Sequence, residues 1–152
     1  MSRAKRSILL GGFAAILGVT AALATPDSGV SVTELGRGRI ADPFMIEMNG
    51  PSDVVVVHGT VEPGGNTGWH SHPAPEIAVV KAGTLTYYDG MDKDCRPQPV
   101  TAGQGQFESP GRVHITRNEG SVPVEVYAAF IVPDGEKAPL RMDAERPGNC
   151  PF

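Results

Sequence analysis

Helical periodicity is absent from this sequence beyond its N-terminal segment, and glycine and proline are plentiful where a helical protein has few. No segment after residue 24 repeats its apolar residues at the spacing of an amphipathic helix. Glycine (19 residues) and proline (14 residues) make up more than a fifth of the 152-residue chain. Both disfavour helix interiors, because glycine loses backbone entropy on folding and proline lacks the backbone donor. The composition therefore excludes a helical bundle and predicts one turn-rich β domain.

Beyond the first six residues, the positive charges are spread out and are outnumbered by the acidic residues. The chain has 13 Lys and Arg against 17 Asp and Glu, a formal net charge of −4, and its dense basic group is Arg3, Lys5 and Arg6. Proteins that bind nucleic acids neutralise phosphates with clustered Lys and Arg. Arg112 and Arg117 flank one predicted strand, but two bases do not form a phosphate-binding surface. We therefore expect no nucleic-acid partner.

The N-terminal segment 1–24 has the three parts of a secretory signal peptide. Its basic start precedes an uncharged apolar run at 8–24, which ends in the small-x-small triplet Ala22-Leu23-Ala24. The run is short and glycine-rich for a bilayer-spanning helix, although an uncleaved membrane anchor is the main alternative and a buried helix a third. We expect cleavage and a secreted or periplasmic protein with no membrane contact; if the leader is retained, the protein is membrane-anchored.

Cysteine is also scarce, since Cys95 and Cys150 are the only two. In an exported protein an even pair suggests one disulfide, which would pin the C-terminal tail to a loop in the middle of the chain. On the chain-entropy model a loop of this size contributes roughly 4 kcal/mol, less any strain. Two free thiols are the alternative. A metal site built on both cysteines is disfavoured, because neither lies at ligand spacing to a histidine.

The remaining residues, 25–152, are predicted to form a single β domain after a short linker at 25–29. Runs of β-branched and aromatic residues separated by Gly/Pro turns indicate a sandwich or small barrel. A polar loop is expected at 89–98, and the core of the domain at about 54–132. The predicted strands are 30–35, 39–41, 54–61, 69–72, 77–81, 84–88, 113–117 and 122–132.

Histidine is the residue type that points to chemistry. The chain has four, and His70 and His72 are separated by one residue. Residues i and i+2 of a strand point to the same face, so the two imidazoles project together. Glu76 has the same parity, although Pro73 and Pro75 interrupt the strand between. Two imidazoles and a carboxylate on one face suit a divalent metal.

The sequence around this pair resembles the first motif of the cupin superfamily. Residues 64–83 read GGNTGWHSHPAPEIAVVKAG. They match every fixed position of that motif: a glycine, five residues, His-x-His, a short gap, a glutamate, six residues and a glycine. The match is the strongest fold-level signal in the sequence.

A second segment, 103–118, resembles the second cupin motif. The matching residues are Gly103, Gly111, His114 and Asn118. One position departs from the pattern, because Ser109 stands where the family has proline and Pro110 follows one residue later. The Pro110-Gly111 pair still supplies a tight turn, so the departure concerns the shape of that turn and not the histidine.

The resemblance implies a fold and a metal site. The fold is the all-β cupin barrel, a conical jelly roll or double-stranded β-helix that is often a homodimer. The metal is iron(II), manganese(II), nickel(II), zinc or copper, since imidazole binds all of these and one carboxylate adds little selectivity. Only the resemblance selects His114 over His58, which we expect to be structural or on the surface. The implied metal ligands are His70, His72, Glu76 and His114.

Three functions fit such a chain, which is similar to uncharacterised exported cupins. Four protein ligands would leave two open positions on a six-coordinate metal, where a small molecule or O₂ binds and the metal acts as a Lewis acid or electron carrier. The first function is therefore a metal-dependent oxidoreductase of dioxygenase type. The second is non-catalytic binding of a small ligand or a metal, and the third is a dimer scaffold. The sequence leaves open whether the protein is an enzyme, because a fold does not fix a function.

Two further features have structural interpretations. Trp69 alternates with His70, so we expect it to face away from the metal and to pack in an outer layer or an oligomer interface. The acidic cluster of Asp89, Asp92 and Asp94 lacks the glycine and terminal glutamate of a calcium-binding loop. We therefore expect this cluster to lie in a solvated loop.

Overall fold

The computed structural model describes residues 28–135 and 139–152. The predicted leader at 1–24 and most of the predicted linker lie outside these ranges. Every regular element in the described ranges is a β-strand, which confirms the all-β fold class. Within the same ranges, no helix meets the length and hydropathy that a membrane crossing requires.

The described part of the chain forms nine strands, and most of the longer ones coincide with the predicted runs of β-branched residues. The strands are β1 (Ser52–Val61), β2 (His70–Ser71), β3 (Glu76–Ala82), β4 (Thr84–Asp89), β5 (Gln98–Thr101), β6 (Gly105–Glu108), β7 (His114–Arg117), β8 (Val124–Pro133) and β9 (Met142–Asp143).

Two predicted strands, at 30–35 and 39–41, are wrong. The described chain before β1 is irregular apart from an isolated bridge between Arg39 and Gln104. The bridge rests on two backbone hydrogen bonds, Arg39 N to Gly103 O (2.9 Å) and Gly105 N to Arg39 O (3.0 Å). One bridge does not make a ladder, so this segment contacts the domain without joining a sheet.

The strands form two antiparallel sheets. The first sheet has the order β1-β8-β3-β6, and the second has the order β5-β4-β7-β2-β9. A buried cluster of Val80, Leu85 and Val124 takes residues from both sheets, so apolar side chains pack between the layers. Burial of apolar surface of this kind is the main source of folding free energy.

The outer face of the second sheet carries a separate cluster, formed with the C-terminal residues. Trp69, Tyr88 and Ile115 pack there against the disulfide that joins Cys95 and Cys150. The predicted disulfide is therefore present. Trp69 packs in an outer layer, as expected, because neighbouring residues of a strand point to opposite faces.

Candidate metal site

Five side chains from both sheets converge in the interior of the barrel. His70 and His114 lie directly opposite each other on the paired strands β2 and β7. His72 follows β2, while Glu76 and Glu108 lie opposite each other on β3 and β6. None of the five residues is more than 7% exposed. Burial of so many titratable groups in one place requires that each be paired or bound to a cation.

The two prolines between His72 and Glu76 carry the chain from one sheet to the other. The second-sheet strand β2 ends before Pro73, and the first-sheet strand β3 begins at Glu76. A proline cannot donate to a strand ladder, so pairing stops there. The strand is therefore broken at the two prolines, as their position in the sequence indicates, and the Glu76 carboxylate reaches the histidines from the opposite sheet and not from the same strand face.

Each of the three imidazoles is anchored by a backbone carbonyl at its Nδ1 atom. The contacts are His70 with Gly68 O (2.9 Å), His72 with Leu140 O (2.7 Å) and His114 with Arg112 O (3.0 Å). A carbonyl oxygen only accepts, so Nδ1 carries the hydrogen and donates it. In the neutral ring the Nε2 atom then holds a lone pair. This arrangement is typical of metal-ligating histidines, in which the second nitrogen is oriented by a backbone or carboxylate acceptor.

The two carboxylates face the Nε2 atoms of His72 and His114. Glu76 Oε2 lies 2.8 Å from His72 Nε2, and Glu108 Oε2 lies 2.8 Å from His114 Nε2 and 3.3 Å from His72 Nε2. The candidate ligand atoms of His70, His72 and His114 lie within 4.8 Å of one another, and so do those of His72, Glu76 and Glu108. Imidazole nitrogens and carboxylate oxygens at this spacing suit a divalent first-row metal.

Two atoms at the centre of the site lack a partner. While the ring proton of His72 stays on Nδ1, the buried His72 Nε2 and Glu108 Oε2 atoms have no hydrogen-bond partner among the described residues. With the ring proton on Nδ1, these two atoms present lone pairs to each other. Such an arrangement is repulsive unless a cation lies between them, either a proton or a metal ion. The residues therefore fit a divalent metal.

Without a metal, the buried groups of the site differ in how readily each of them binds a proton. Burial lowers the pKa of His70 to about 4, so this ring is neutral near pH 7. Burial also lowers the pKa of His72, but its hydrogen bonds to Glu108 and Glu76 outweigh that effect and raise it to about 10. Burial raises the pKa of Glu108, yet His114 and His72 bring it down to about 2. A metal that binds here must therefore displace a proton from His72.

The four residues that the sequence analysis names as metal ligands lie in two overlapping groups that share His72: one holds His70 and His114, and the other holds Glu76 together with Glu108. His58 stays apart from them on β1, where its ring stacks on Tyr127 (4.6 Å between centroids) and lies 3.7 Å from Glu125. Its side chain is 46% exposed. Three of the four histidines therefore converge inside the barrel, and the fourth lies on the surface.

Sequence reasoning missed Glu108. No fixed position of either motif corresponds to it, and the only signal is a glutamate inside the short run 105–108. Its place in the site follows from the register of β6 on β3, which sets Glu108 opposite Glu76. A register between distant strands is a tertiary feature, so motif spacing does not reveal it.

A cavity of about 500 Å³ lies beside the site. Its wall meets the site at Tyr87, whose ring stacks on His114 with 5.0 Å between centroids. Asp89 and Arg112 form an ion pair in the wall. The expectation that Asp89 lies in a solvated loop is wrong, because it ends β4 and is 3% exposed. The cavity is large enough for a small molecule.

The comparisons with known proteins agree with this architecture. Residues 57–130 match the family model described as the cupin domain. No curated protein matches the chain. Among solved structures, the DMSP lyase of Ruegeria pomeroyi is 22% identical over 62% of this chain and 45% of its own, with a TM-score of 0.51.

Two further solved structures show lower TM-scores. An uncharacterised protein with a double-stranded β-helix domain from Klebsiella pneumoniae is 24% identical over 66% of this chain and 90% of its own, with a TM-score of 0.49. A predicted oxalate decarboxylase from Thermotoga maritima is 25% identical over 51% of this chain and 65% of its own, with a TM-score of 0.45. This chain thus spans less than two thirds of the Thermotoga protein, and the similarities concern the fold.

Proposed function

The chain belongs to the cupin family, and on that premise we propose that it binds a divalent transition-metal ion inside the barrel and presents it to a small molecule. The proposed ligands are His70, His72, Glu76 and His114. One observation carries the proposal: three buried imidazoles have their Nδ1 atoms fixed by carbonyls, and the Nε2 atoms of His72 and His114 meet buried carboxylates. The donor set contains nitrogen and oxygen only, which suits iron, manganese, nickel, zinc or copper.

A divalent ion bound here supplies a Lewis acid and, if it is redox-active, an electron carrier. The chain's own residues orient the ligands and exclude water from the site. The backbone carbonyls hold the imidazoles in the orientation that the metal requires, so the rings need not be ordered when the ion binds. Tyr87 lines the cavity and stacks on His114, so it is the residue through which a molecule bound in the cavity meets the site. The burial of the site excludes bulk water.

The substrate class is a small molecule, since the cavity beside the site is of that size. Its wall combines the stacked rings of Phe44 and Phe107 with the Asp89–Arg112 pair. Such a surface suits a ligand with both apolar and polar parts. We propose an oxidoreductase of dioxygenase type as the activity.

A second function, metal or ligand binding without turnover, is supported by one feature of the site. Both Glu76 and Glu108 face His72, so five protein groups surround the position of the ion. If all five ligate, few open positions remain for a substrate. In an enzyme, Glu108 would therefore not bind the ion, which leaves a position open for substrate. In a protein that binds without turnover, Glu108 would be a fifth ligand.

We also propose that 25–152 is one exported barrel that leaves the membrane and dimerises. The disulfide supports an oxidising compartment outside the cytosol, and the leader at 1–24 is the proposed export signal. Among the described strands, β1 has a neighbour on one side only, and its Val54 and Val56 are 64% and 63% exposed. An apolar edge of this kind is covered in stable proteins, and a second copy of the chain would cover it.

The test is elemental analysis of the exported, untagged protein beside two variants. The first is His70→Ala/His114→Ala, which removes two proposed ligands. The second is His58→Ala, a matched control that removes the histidine outside the site. We expect one equivalent of metal in the parent and the control and a loss of metal in the double variant. No stoichiometric metal in the parent, or equal metal in all three proteins, contradicts the proposal.

A further inference from the structure

The C-terminal tail, defined as residues 139–152, is the neighbour of the strand that carries His70. β9 pairs with β2, placing Asp143 opposite His70 and Met142 opposite Ser71. Ala144 N also donates to Trp69 O at 2.9 Å. Because β2 has only two residues, its position depends on the strands on either side of it. One of those strands belongs to the tail.

The tail also orients a second proposed ligand. The carbonyl that accepts the Nδ1–H of His72 belongs to Leu140, 68 residues away in the chain. The anchors of His70 and His114 are both local, since each carbonyl lies two residues before its own histidine. His72 is therefore the one imidazole of the three whose orientation depends on a distant segment.

The tail is held mainly at its far end. The disulfide joins Cys150 to Cys95, Phe152 O accepts from Trp69 Nε1 at 2.8 Å, and the Phe152 ring packs on Tyr88 with 4.7 Å between centroids. Nearer the site, Leu140 is only partly buried against the cluster that contains Ala74 and Phe130, and both residues of β9 are exposed. Without the covalent link, few contacts remain to offset the conformational entropy that the tail loses when it is ordered.

We infer that the C-terminal tail is a positioning element of the metal site, and that the Cys95–Cys150 disulfide couples the redox state of the chain to metal affinity. The inference rests on the proposed metal-binding function. Reduction by a dithiol transfers two electrons and two protons to the disulfide, which becomes two thiols while the reductant becomes a disulfide. The released tail then leaves His72 without its acceptor and β2 without one neighbour. The chain thus binds metal tightly only after the disulfide has formed.

The test compares the parent with Cys95→Ser/Cys150→Ser, a variant that lacks the disulfide and adds no thiol that could bind metal. Cobalt(II) is the probe, titrated into each metal-free full-length protein and followed by its absorption spectrum. Loss of an outer partner of a metal-bound histidine typically weakens binding roughly ten- to hundredfold, and we expect a rise in Kd of that size. The control is Val124→Ala, which destabilises the buried cluster between the sheets without touching the tail, and its Kd should match that of the parent.

A second measurement, made without metal, separates positioning from general stability. In the parent, NMR should show the Nδ1 protons of His70, His72 and His114 slowed in exchange by their carbonyl acceptors. In the double serine variant, only the His72 proton should lose that protection. If the variant does not fold, deletion of Phe152 keeps the disulfide but removes its ring and carbonyl contacts, and we expect a smaller rise in Kd.

The outcomes distinguish the two claims. A parent that binds no cobalt overturns the proposed metal-binding function. A parent that binds cobalt with the same Kd as the double serine variant overturns the coupling alone. Equal weakening in Val124→Ala also overturns it, because the effect would then be general destabilisation.

Discussion

The metal-free protein should lose stability as the pH rises from 6.5 to 9. The cause is His72, whose pKa is raised from 6.5 to about 10 in the folded chain, where hydrogen bonds to Glu108 and Glu76 outweigh the opposing effect of burial. A group with a raised folded pKa contributes stability that is fully present below the unfolded value. That stability is lost as the pH rises through the folded value.

The size of this effect follows from the same two values. The difference between 6.5 and about 10 corresponds to roughly 5 kcal/mol at full strength. Solvent screening and relaxation reduce such shifts, and part of the loss falls above pH 9. We therefore expect the free energy of unfolding to fall by about 2 kcal/mol between pH 6.5 and 9.

The assay is denaturant unfolding with a chelator present, at pH steps within this window. Glu108→Gln removes one of the two carboxylates that face His72 and should flatten the pH dependence. Excess metal should also flatten it, because the ion replaces the proton at Nε2. A stability that is constant from pH 6.5 to 9 in the metal-free parent would refute the assignment of a proton to this cluster.

Three other expectations concern single features of the chain. Removing the disulfide by Cys95→Ser/Cys150→Ser should lower the free energy of unfolding by roughly 4 kcal/mol, measured by urea unfolding; a cost below 1 kcal/mol would contradict the view that the tail is tethered covalently. Arg112→Ala leaves the buried Asp89 carboxylate unpaired and should cost about 1–2 kcal/mol, since Arg112 is itself half-exposed. The loss should be smaller in Arg112→Lys, and equal losses would show that charge pairing is not the cause. Val124→Ala should cost about 1–3 kcal/mol from a fully buried site, and a neutral result would mean that the cluster between the sheets is loosely packed.

The sequence predicts the positions of His70 and His114 well, because both are fixed by local geometry. Each lies on a strand, each has its carbonyl anchor two residues earlier, and a glycine with a positive φ angle precedes each of the two strands. Gly68 and Gly111 adopt φ angles of 68° and 74°, which side-chain-bearing residues rarely adopt. Residue spacing therefore indicates His70 directly, whereas His114 is selected by the resemblance to the second cupin motif.

Two features of the site depend on contacts between distant segments, and spacing does not predict them. Glu108 enters through the register of β6 on β3. Leu140 enters through a tail whose strand, β9, has two residues and no apolar alternation. A strand of that length has no periodicity to detect, and its pairing is decided by the disulfide and the neighbouring strand.

The strands predicted at 30–35 and 39–41 do not form, and the reason is related. Their β-branched residues satisfy the propensity for a strand, but propensity describes residues that pack on a half-buried sheet surface. Between residue 28 and β1, the chain makes one isolated bridge, which joins Arg39 and Gln104. Local preference alone therefore overestimates the number of strands.

The most direct test of the metal site is an anomalous difference map from crystals of the metal-loaded protein. The account predicts one peak inside the barrel, about 2.0–2.1 Å from the Nε2 atoms of His70, His72 and His114, with a Glu76 oxygen in the same coordination sphere. The Nδ1 atoms should keep their carbonyl acceptors. A peak that binds His58 instead, or a metal-loaded crystal with no peak among the three buried histidines, would contradict the central claim.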